Sequence, residues 1–290
     1  MSDSFVAAPY LRDNPRITYV EPHDPWLIRT FVSTLEVILG RKKLEGIYNE
    51  LKQSPFSVED FFTDALNLAK IHRFYPSTQL DRIPRSGPLV FVANHPFGVV
   101  DGLILCELAA KTRGEFRILI NALLCQDKDL APYFLPIDFS NDRQAMKTNI
   151  RSKKVAKACL EQDIPIIVFP SGMVSTADRR GFGRVVDGPW STFTAKLVRD
   201  THATVVPVFF HGQNSRLFHV ASHIALPLRM ALLVNEALNK FHSAVEFDIG
   251  EPINWSQMEV FDSRLALTQF LYQKVQDTGA IRNGSQSMTR

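Results

Sequence analysis

The sequence lacks a continuous apolar run long enough to cross a bilayer. A spanning helix needs about 18–20 apolar residues, and the longest stretches without Asp, Glu, Lys or Arg have 15 residues, at 86–100 and 201–215. The first residues also lack the basic segment and apolar core of a signal peptide. We therefore expect a chain that does not cross a membrane, although it can lie on one.

Cysteine is scarce and the charge is nearly balanced. Cys106, Cys125 and Cys159 are widely spaced and form no Cys-x-x-Cys pair, which is typical of free thiols in a reducing cytoplasm. The formal net charge of +3 is too small a surplus to indicate nucleic-acid binding, but it suits an anionic membrane surface or an acidic carrier. The 21 phenylalanines stand in no RNA-binding motif, so we expect them in the core.

Several motifs of other enzyme classes are absent or incomplete. No Gly-x-Ser-x-Gly elbow is present, which argues against an ordinary α/β-hydrolase. Gly181-Phe182-Gly183 is followed by Val186 where a dinucleotide-binding loop needs glycine. His219 and His223 lie four residues apart but have no third ligand in a recognisable motif, so we expect no metal site.

Alternating segments from residue 86 onwards predict an α/β domain. The predicted strands are Leu89–Ala93, Phe116–Asn121, Ile164–Phe169, Thr204–Phe209 and Ala244–Ile249, and the predicted helices are Gly102–Lys111, Arg143–Glu161, Trp190–Asp200, Ile224–Lys240 and Arg264–Asp277. This pattern indicates a mostly parallel central sheet covered by helices. We assign the domain to residues 86–280 and expect 281–290 to be a disordered tail.

Residues 1–85 are predicted to form an extended arm followed by an amphipathic helical region. Four prolines lie within residues 1–25, and helical periodicity then runs from Trp26 to about Lys52 with a break at Gly40. One apolar face comprises Leu27, Phe31, Leu35 and Ile38, and the basic cluster Arg41-Lys42-Lys43 follows the break. Two compatible interpretations remain: a helical pair packed on the domain, or an interfacial element on a membrane.

The segment Asn94-His95-Pro96-Phe97-Gly98-Val99-Val100-Asp101-Gly102 places an imidazole and a carboxylate between a predicted strand and a predicted helix. A carboxylate can hold one ring N–H of a histidine and stabilise the imidazolium, while the other ring nitrogen accepts a proton. The two residues can therefore act as a general base and its orienting partner. Taken alone, such a pair can also do no more than cap a turn.

Three further blocks follow in order: Tyr133–Ser140 around Ile137-Asp138-Phe139, Phe169-Pro170-Ser171-Gly172-Met173-Val174-Ser175, and Val206-Pro207-Val208 continuing to Ser215. With His95 and Asp101, they resemble the glycerolipid (lysophospholipid) acyltransferase superfamily, in which His-x4-Asp, Ile-Asp-Arg, Phe-Pro-Glu-Gly-Thr-Arg-Ser and Val-Pro-Val blocks occur in this order. The five residues between His95 and Asp101 are more similar to the branch of ornithine-lipid-type O-acyltransferases and their hemolysin-like relatives. Leu35–Tyr48 and Asp187-Gly188-Pro189-Trp190 also resemble that branch.

The resemblance implies direct acyl transfer without a bound cofactor. His95, oriented by Asp101, would take the proton from an acceptor hydroxyl as its oxygen attacks an acyl thioester of acyl-carrier protein or CoA. Backbone amides of the Pro96–Gly98 turn or around Gly172 are candidate donors to the oxyanion. The residues assigned to substrate binding are Asn94, Gly98, Arg143, Phe169, Pro170, Ser171, Gly172, Ser175, Arg179 and Arg180.

The departures from the phospholipid enzymes concern charge. Phe139 and Val174 stand where those enzymes place arginine, and Ser171 replaces a glutamate. A neutral side chain cannot supply the bidentate, charge-assisted contact that arginine makes with phosphate. The sequence therefore favours an amino-acid lyso-lipid, such as lyso-ornithine lipid, as the acceptor.

Two alternatives to this acceptor remain. Arg143, Arg179 and Arg180 lie near the altered blocks and can replace the missing charges, which keeps a lysophosphatidic-acid-type acyltransferase open. A non-catalytic lipid-binding protein on the same fold is a further alternative, although such a protein has no use for His95 and Asp101. Because the resemblance implies a lipid substrate, we expect a cytoplasmic protein, peripheral on the inner face of the cytoplasmic membrane.

Overall fold

The computed structural model describes residues 6–15, 18, 20, 25–53, 57–140 and 142–287. Its strands are β1 His72–Phe74, β2 Leu89–Ala93, β3 Arg117–Asn121, β4 Phe134–Ile137, β5 Ile166–Val168, β6 Thr204–Phe210 and β7 Ala244–Ile249. Its α-helices are α1 Trp26–Ile38, α2 Arg41–Leu51, α3 Val58–Leu68, α4 Ser77–Leu80, α5 Val99–Arg113, α6 Arg143–Leu160, α7 Phe193–Thr201, α8 Arg216–Ser222, α9 Leu226–Asn239, α10 Trp255–Met258 and α11 Arg264–Ser287.

The strands form one sheet of seven, in the order β1-β7-β6-β2-β5-β3-β4. Neighbours from β6 through β4 are parallel, β7 is antiparallel to β6, and β1 is parallel to β7. The prediction of a mostly parallel sheet covered by helices is confirmed. The carboxyl ends of β2, β5 and β6 lie side by side, so the loops after these strands meet at one edge of the sheet.

Helices cover both faces of the sheet because the central strands are apolar throughout. All five residues of β2 are buried. Leu89, Phe91 and Ala93 belong to the core cluster that includes apolar residues of α3 and α5, whereas Val90 and Val92 belong to the cluster with α6, α7 and α11. This continuous burial is the pattern of a strand packed on both sides.

All five predicted strands are confirmed, with ends that differ by at most two residues. The two strands that we did not predict, β1 and β4, lie at the two edges of the sheet. Strand β1 has the sequence His-Arg-Phe, and β4 contains Pro136, which is tolerated at an edge because a proline cannot donate to a central ladder. Since β1 lies in the sheet, the sheet begins before residue 86, within the range predicted as arm and helical region.

The predicted N-terminal helices are also present. Helices α1 and α2 are separated at Gly40, whose φ of +100° suits glycine. Helix α3, which we did not predict, follows them. At the other end, α11 continues to Ser287, into the range 281–290 for which we predicted a disordered tail, and residues 288–290 lie outside the described part.

The apolar face of α1 points mainly to solvent. Trp26 is 71% and Ile38 74% exposed, and Leu27 and Phe31 are also exposed. Along the described residues, we find no helix that is both long and apolar enough to span a bilayer. The predicted basic cluster is only partly exposed: Arg41 is buried against Glu36 at 3.0 Å, so Lys42 and Lys43 alone carry its surface charge.

Candidate functional site

The turn between β2 and α5 carries the His–Asp pair. Strand β2 ends at Ala93, and Gly98 adopts a positive φ of +75° before α5 begins at Val99. A side chain at position 98 would also crowd the loop after β5, because its Cβ would lie 3.2 Å from Val174 Cγ2. Glycine is therefore needed here for both conformation and space. The tight turn brings Asp101, in the first turn of α5, back towards His95.

His95 and Asp101 are within hydrogen-bonding distance. His95 Nδ1 lies 3.1 Å from Asp101 Oδ2, and the same oxygen accepts the amides of Phe97 at 2.8 Å and Gly98 at 3.1 Å. The Asp101 side chain is 0% exposed and that of His95 is 17% exposed. Asp101 Oδ1 is buried and has no hydrogen-bond partner among the described residues. The carboxylate is thus fixed by its own turn, and the imidazole alone reaches solvent.

Two opposing effects act on the Asp101 carboxyl. Burial raises its pKa, while the His95 imidazole and the amides of Phe97 and Gly98 lower it, and the pKa lies above its ordinary value overall. The loss of hydration therefore destabilises the charged carboxylate more than its hydrogen bonds stabilise it. A positive charge on His95 would offset that cost, which is the electrostatic condition for an imidazole that accepts a proton.

The loop after β5 packs on His95. The Phe169 ring stacks on the imidazole with a centroid distance of 3.9 Å. Ser175 donates its amide to the His95 carbonyl at 2.8 Å. The hydroxyl of Ser175 donates to Asp187, which also accepts the His95 amide at 3.2 Å. The predicted residues Phe169 and Ser175 are thus brought directly to His95.

Asp187 and Trp190 belong to this site, although no role for them could be predicted from the sequence. Asp187 accepts the His95 amide, the Ser175 hydroxyl and, at 2.9 Å, the Trp190 indole N–H. It therefore fixes the backbone of the His95 turn against the loop after β5. The signal available in the sequence was the Asp-Gly-Pro-Trp segment, which we noted only as a family resemblance.

Asn94 joins β2 to β6. Its Oδ1 accepts the Phe210 amide at 2.7 Å and its Nδ2 donates to the Phe210 carbonyl at 2.9 Å. The side chain thereby extends the β2–β6 pairing by one step beyond the last paired strand residues. Both ends of the amide are engaged with backbone, so Asn94, which we assigned to substrate binding, positions its neighbour His95.

The remaining residues of the Phe169–Ser175 block shape the loop itself. Pro170 accepts the Ser191 amide at 2.9 Å, and the Ser171 hydroxyl donates to the Met173 carbonyl at 2.8 Å. Gly172 has a φ of +66°, and a Cβ there would lie 3.7 Å from the Phe139 ring. The Phe139 ring therefore lies beside this glycine.

Three of the amides predicted as oxyanion donors are engaged elsewhere in the site. The amides of Phe97 and Gly98 donate to Asp101. The Gly172 amide donates to the Phe169 carbonyl at 2.9 Å. These groups are occupied because they build the two turns of the site, so they are not free to bind an oxyanion in this conformation.

Arg143, Arg179 and Arg180 are all exposed and lie on two different segments. Arg143 is the exposed first residue of α6, and Arg179 and Arg180 lie on an exposed turn organised by Asp178, which accepts the Arg180 amide at 3.0 Å. None of the three forms an ion pair among the described residues. His219 and His223 do not face a common ligand position: Nδ1 of His219 accepts the Ala177 amide at 3.3 Å, and Nε2 of His223 lies 2.9 Å from the Ala177 carbonyl.

A cavity of about 1210 Å³ lies between the N-terminal region and the loops after β3 and β4. Its lining comes from the N-terminal arm, the first half of α1 and the loops after β3 and β4. Trp26 stands at the α1 side, and Phe139, which packs near Gly172, stands at the other. The cavity therefore extends from the exposed apolar helix to the loop after β4.

The fold and the order of its blocks define a class of protein. The family model described as Acyltransferase matches residues 60–278. Because this match covers well over half of the sequence, the chain belongs to this acyltransferase family. The resemblance to the glycerolipid acyltransferase superfamily and the predicted acyltransferase activity are thereby confirmed.

Two curated proteins and one solved structure are similar to this chain. The chain is 34% identical over 203 residues to a lyso-glycine lipid O-acyltransferase of Phocaeicola vulgatus, covering 66% of this chain and 68% of that protein. It is 31% identical over 191 residues to a lyso-glycine lipid O-acyltransferase of Bacteroides thetaiotaomicron, covering 62% and 66%. The crystal structure of a 1-acyl-sn-glycerophosphate acyltransferase from Thermotoga maritima shares the fold with a TM-score of 0.50 at 16% identity, over 87% and 88% of the two chains.

Proposed function

We propose that this protein transfers a fatty acyl group from an acyl thioester to the hydroxyl of an amino-acid lyso-lipid. The observation that carries the proposal is the His95–Asp101 pair, in which only the imidazole reaches solvent. With Nδ1–H donating to Asp101, Nε2 of His95 accepts the hydroxyl proton while the hydroxyl oxygen attacks the thioester carbon. When the tetrahedral intermediate collapses, the thiolate leaves and takes up the proton held by the His95 imidazolium. A positioned base of this kind contributes roughly 10²–10⁴-fold to the rate.

The acceptor class is supported by charge and by relatives. Val174 and Phe139 are neutral where the phospholipid enzymes carry arginine, and Phe139 packs near Gly172. The relatives from Phocaeicola vulgatus and Bacteroides thetaiotaomicron are named lyso-glycine lipid O-acyltransferases. An amino-acid lipid whose amine is acylated carries a carboxylate instead of a phosphate. We therefore place the acceptor among such lipids.

The donor is an acyl thioester of CoA or acyl-carrier protein, and the lipid arrives from a membrane surface. The exposed apolar residues Trp26, Leu27, Phe31 and Ile38 of α1 support peripheral binding, with Trp26 also lining the cavity that leads towards Phe139. In this proposal the protein lies on the inner face of the cytoplasmic membrane, where both carriers are present.

The reaction is tested by measuring kcat/KM for lyso-glycine lipid, lyso-ornithine lipid and lysophosphatidic acid with each donor. We expect the amino-acid lipids to be preferred by roughly one to two powers of ten, because Phe139 and Val174 do not offer a phosphate the charge-assisted contacts expected of arginine at those two positions. A clear preference for lysophosphatidic acid would contradict the proposed acceptor.

Membrane binding is tested by flotation with anionic liposomes. Exposed Leu27 and Phe31 are changed together to Gln, and the control changes exposed Val260 and Leu265, far along the chain, in the same way. We expect the first variant to lose most of its binding and the control to float like the wild type. Equal binding of both variants would exclude α1 as the membrane-binding element.

A further inference from the structure

The loop after β5 has Val174 at the position where the similar phospholipid enzymes have an arginine. A guanidinium from another element nevertheless contacts this loop. Arg229, in the first turn of α9, donates from Nη2 to the Val174 carbonyl. The next residue, Ser175, donates its amide to the His95 carbonyl at 2.8 Å. Adjacent residues of one loop therefore link Arg229 to the His95 turn.

Helix α9 packs on the His–Asp turn with the face that carries Arg229. Leu233, one turn further, would lie 3.6 Å from a Cβ on Gly98. Lys240, directly after the helix, has its Nζ 4.1 Å from the Phe97 ring centroid. Residues spaced by four and by eleven share one side of a helix. The position of Arg229 is thus set by the same contacts that hold α9 against the turn.

Arg229 is a half-buried cation in contact with an aromatic ring. Among the described residues no carboxylate pairs with it, and the Phe218 ring lies 5.4 Å from its guanidinium carbon. Burial lowers the pKa of the guanidinium, so the charged form is less stable here than in water. An anion beside Arg229 would offset this cost, and the planar fork of arginine suits two hydrogen bonds to a carboxylate.

We propose that Arg229 determines acceptor specificity by binding the free carboxylate of the amino-acid lyso-lipid. The residue takes over, from α9, the anion-binding role for which position 174 has no charge. This inference rests on the proposed function, because it names a contact to that acceptor. It assigns no such role to Arg143, Arg179 or Arg180, which lie on other exposed segments.

The test compares one acceptor with and without its negative charge. The probes are a hydroxyacyl-glycine and its methyl ester, with palmitoyl-CoA and palmitoyl-carrier protein as donors in separate arms. We expect Arg229→Gln to lower kcat/KM for the free acid about 10- to 100-fold, mainly through KM, and to leave the ester nearly unchanged. Arg229→Lys should recover part of the loss on the acid, because it keeps the charge but not the fork.

Arg216→Gln is the matched control, since this exposed arginine on α8 stacks on Phe182 at 4.4 Å and makes no contact with the Val174 carbonyl. It should leave the turnover of both probes unchanged. Equal losses on acid and ester in Arg229→Gln would overturn the proposal, because Arg229 would then only hold the loop.

A binding measurement tests the role of Arg229 independently of acyl transfer. Hydroxyacyl-glycine is titrated calorimetrically into the His95→Ala chain, with and without Arg229→Gln. Weaker binding by the double variant supports the carboxylate site even if the wild type transfers no acyl group and the proposed function fails. Identical binding by the two chains, or binding by neither, would overturn the inference. Thermal melting of each variant confirms that it is folded.

Discussion

Two imidazole–carboxylate pairs lie at the same edge of the sheet, after the neighbouring strands β2 and β6. His95 Nδ1 lies 3.1 Å from Asp101, and His211 Nε2 lies 2.7 Å from Asp248. Both histidine side chains are 17% exposed. By distance and exposure of the imidazole alone, the second pair is as good a candidate for a general base as the first.

The surroundings of the carboxylates separate the pairs. Asp101 accepts hydrogen bonds from two amides of its own turn. Its network is therefore local and orients the His95 imidazole. Asp248 accepts Gln79 Nε2 at 3.2 Å, and Gln79 Oε1 in turn accepts the Ile249 amide at 2.7 Å. The second network joins α4, the loop after β6 and β7. A short His–carboxylate distance therefore indicates a catalytic pair only when the other hydrogen bonds of the carboxylate orient the histidine instead of joining structural elements.

The largest effect is expected at His95. His95→Ala should lower kcat by at least about 10²–10⁴-fold, because the proposed base is removed. The fold should persist, since the side chain lies in a turn and is partly exposed. Turnover with lyso-glycine lipid and the circular dichroism spectrum are measured together. Near-wild-type turnover by a folded variant would show that the His95–Asp101 pair, like His211–Asp248, has no catalytic role.

Two substitutions at Asp101 separate charge from geometry. Asp101→Asn can keep all three hydrogen bonds through its one oxygen but loses the charge, so kcat should fall by about 10²-fold or more with little loss of stability. Asp101→Ala also leaves the Phe97 and Gly98 amides unpaired, at about 1–3 kcal/mol each. Because this carboxylate is fully buried, we expect Asp101→Ala to lose stability as well as activity.

The raised pKa of Asp101 adds a check by pH. The folded chain holds the Asp101 proton more tightly than the unfolded chain, so this group makes the free energy of unfolding fall as the pH rises above the ordinary value near 4. Asp101→Asn should remove that contribution. Denaturant unfolding of the wild type and the variant across this pH range measures the difference. An unchanged slope would mean that burial does not raise the pKa.

A smaller effect on activity is expected at the second pair. His211→Gln should destabilise the fold by about 1–2 kcal/mol, which for a chain of this size lowers Tm by several degrees. Turnover below the melting transition should stay close to that of the wild type, because no part of the proposed mechanism uses His211. A loss of kcat comparable to that of His95→Ala would show that both pairs take part in transfer.

The smallest effect is expected from Gln79→Ala. The Ile249 amide loses its acceptor and Asp248 loses one donor, which should cost about 1 kcal/mol and leave kcat/KM unchanged. Chemical denaturation combined with His211→Gln completes a double-mutant cycle. Strictly additive losses would show that Gln79 and His211 do not share a network.

The sequence by itself determined the features that depend on neighbours along the chain. The five apolar residues of β2, the positive-φ glycine at 98 and the spacing of His95 and Asp101 placed the pair in one turn, because a strand end, a turn and a helix start are local structures. The edge strands β1 and β4 escaped prediction for the converse reason. A strand paired on one side needs no continuous apolar run, and β1 and β4 are short and include charged residues or a proline.

Only the tertiary structure decided which distant groups complete the site. Asp187 reaches His95 across 92 residues, Asn94 reaches Phe210 across 116, and Arg229 reaches Val174 across 55. No periodicity or spacing in the chain links such positions, because the parallel sheet brings together the loops of strands that are far apart in sequence. The packing of α9 likewise placed a guanidinium beside Val174, although the Phe169–Ser175 block itself contains no charged residue.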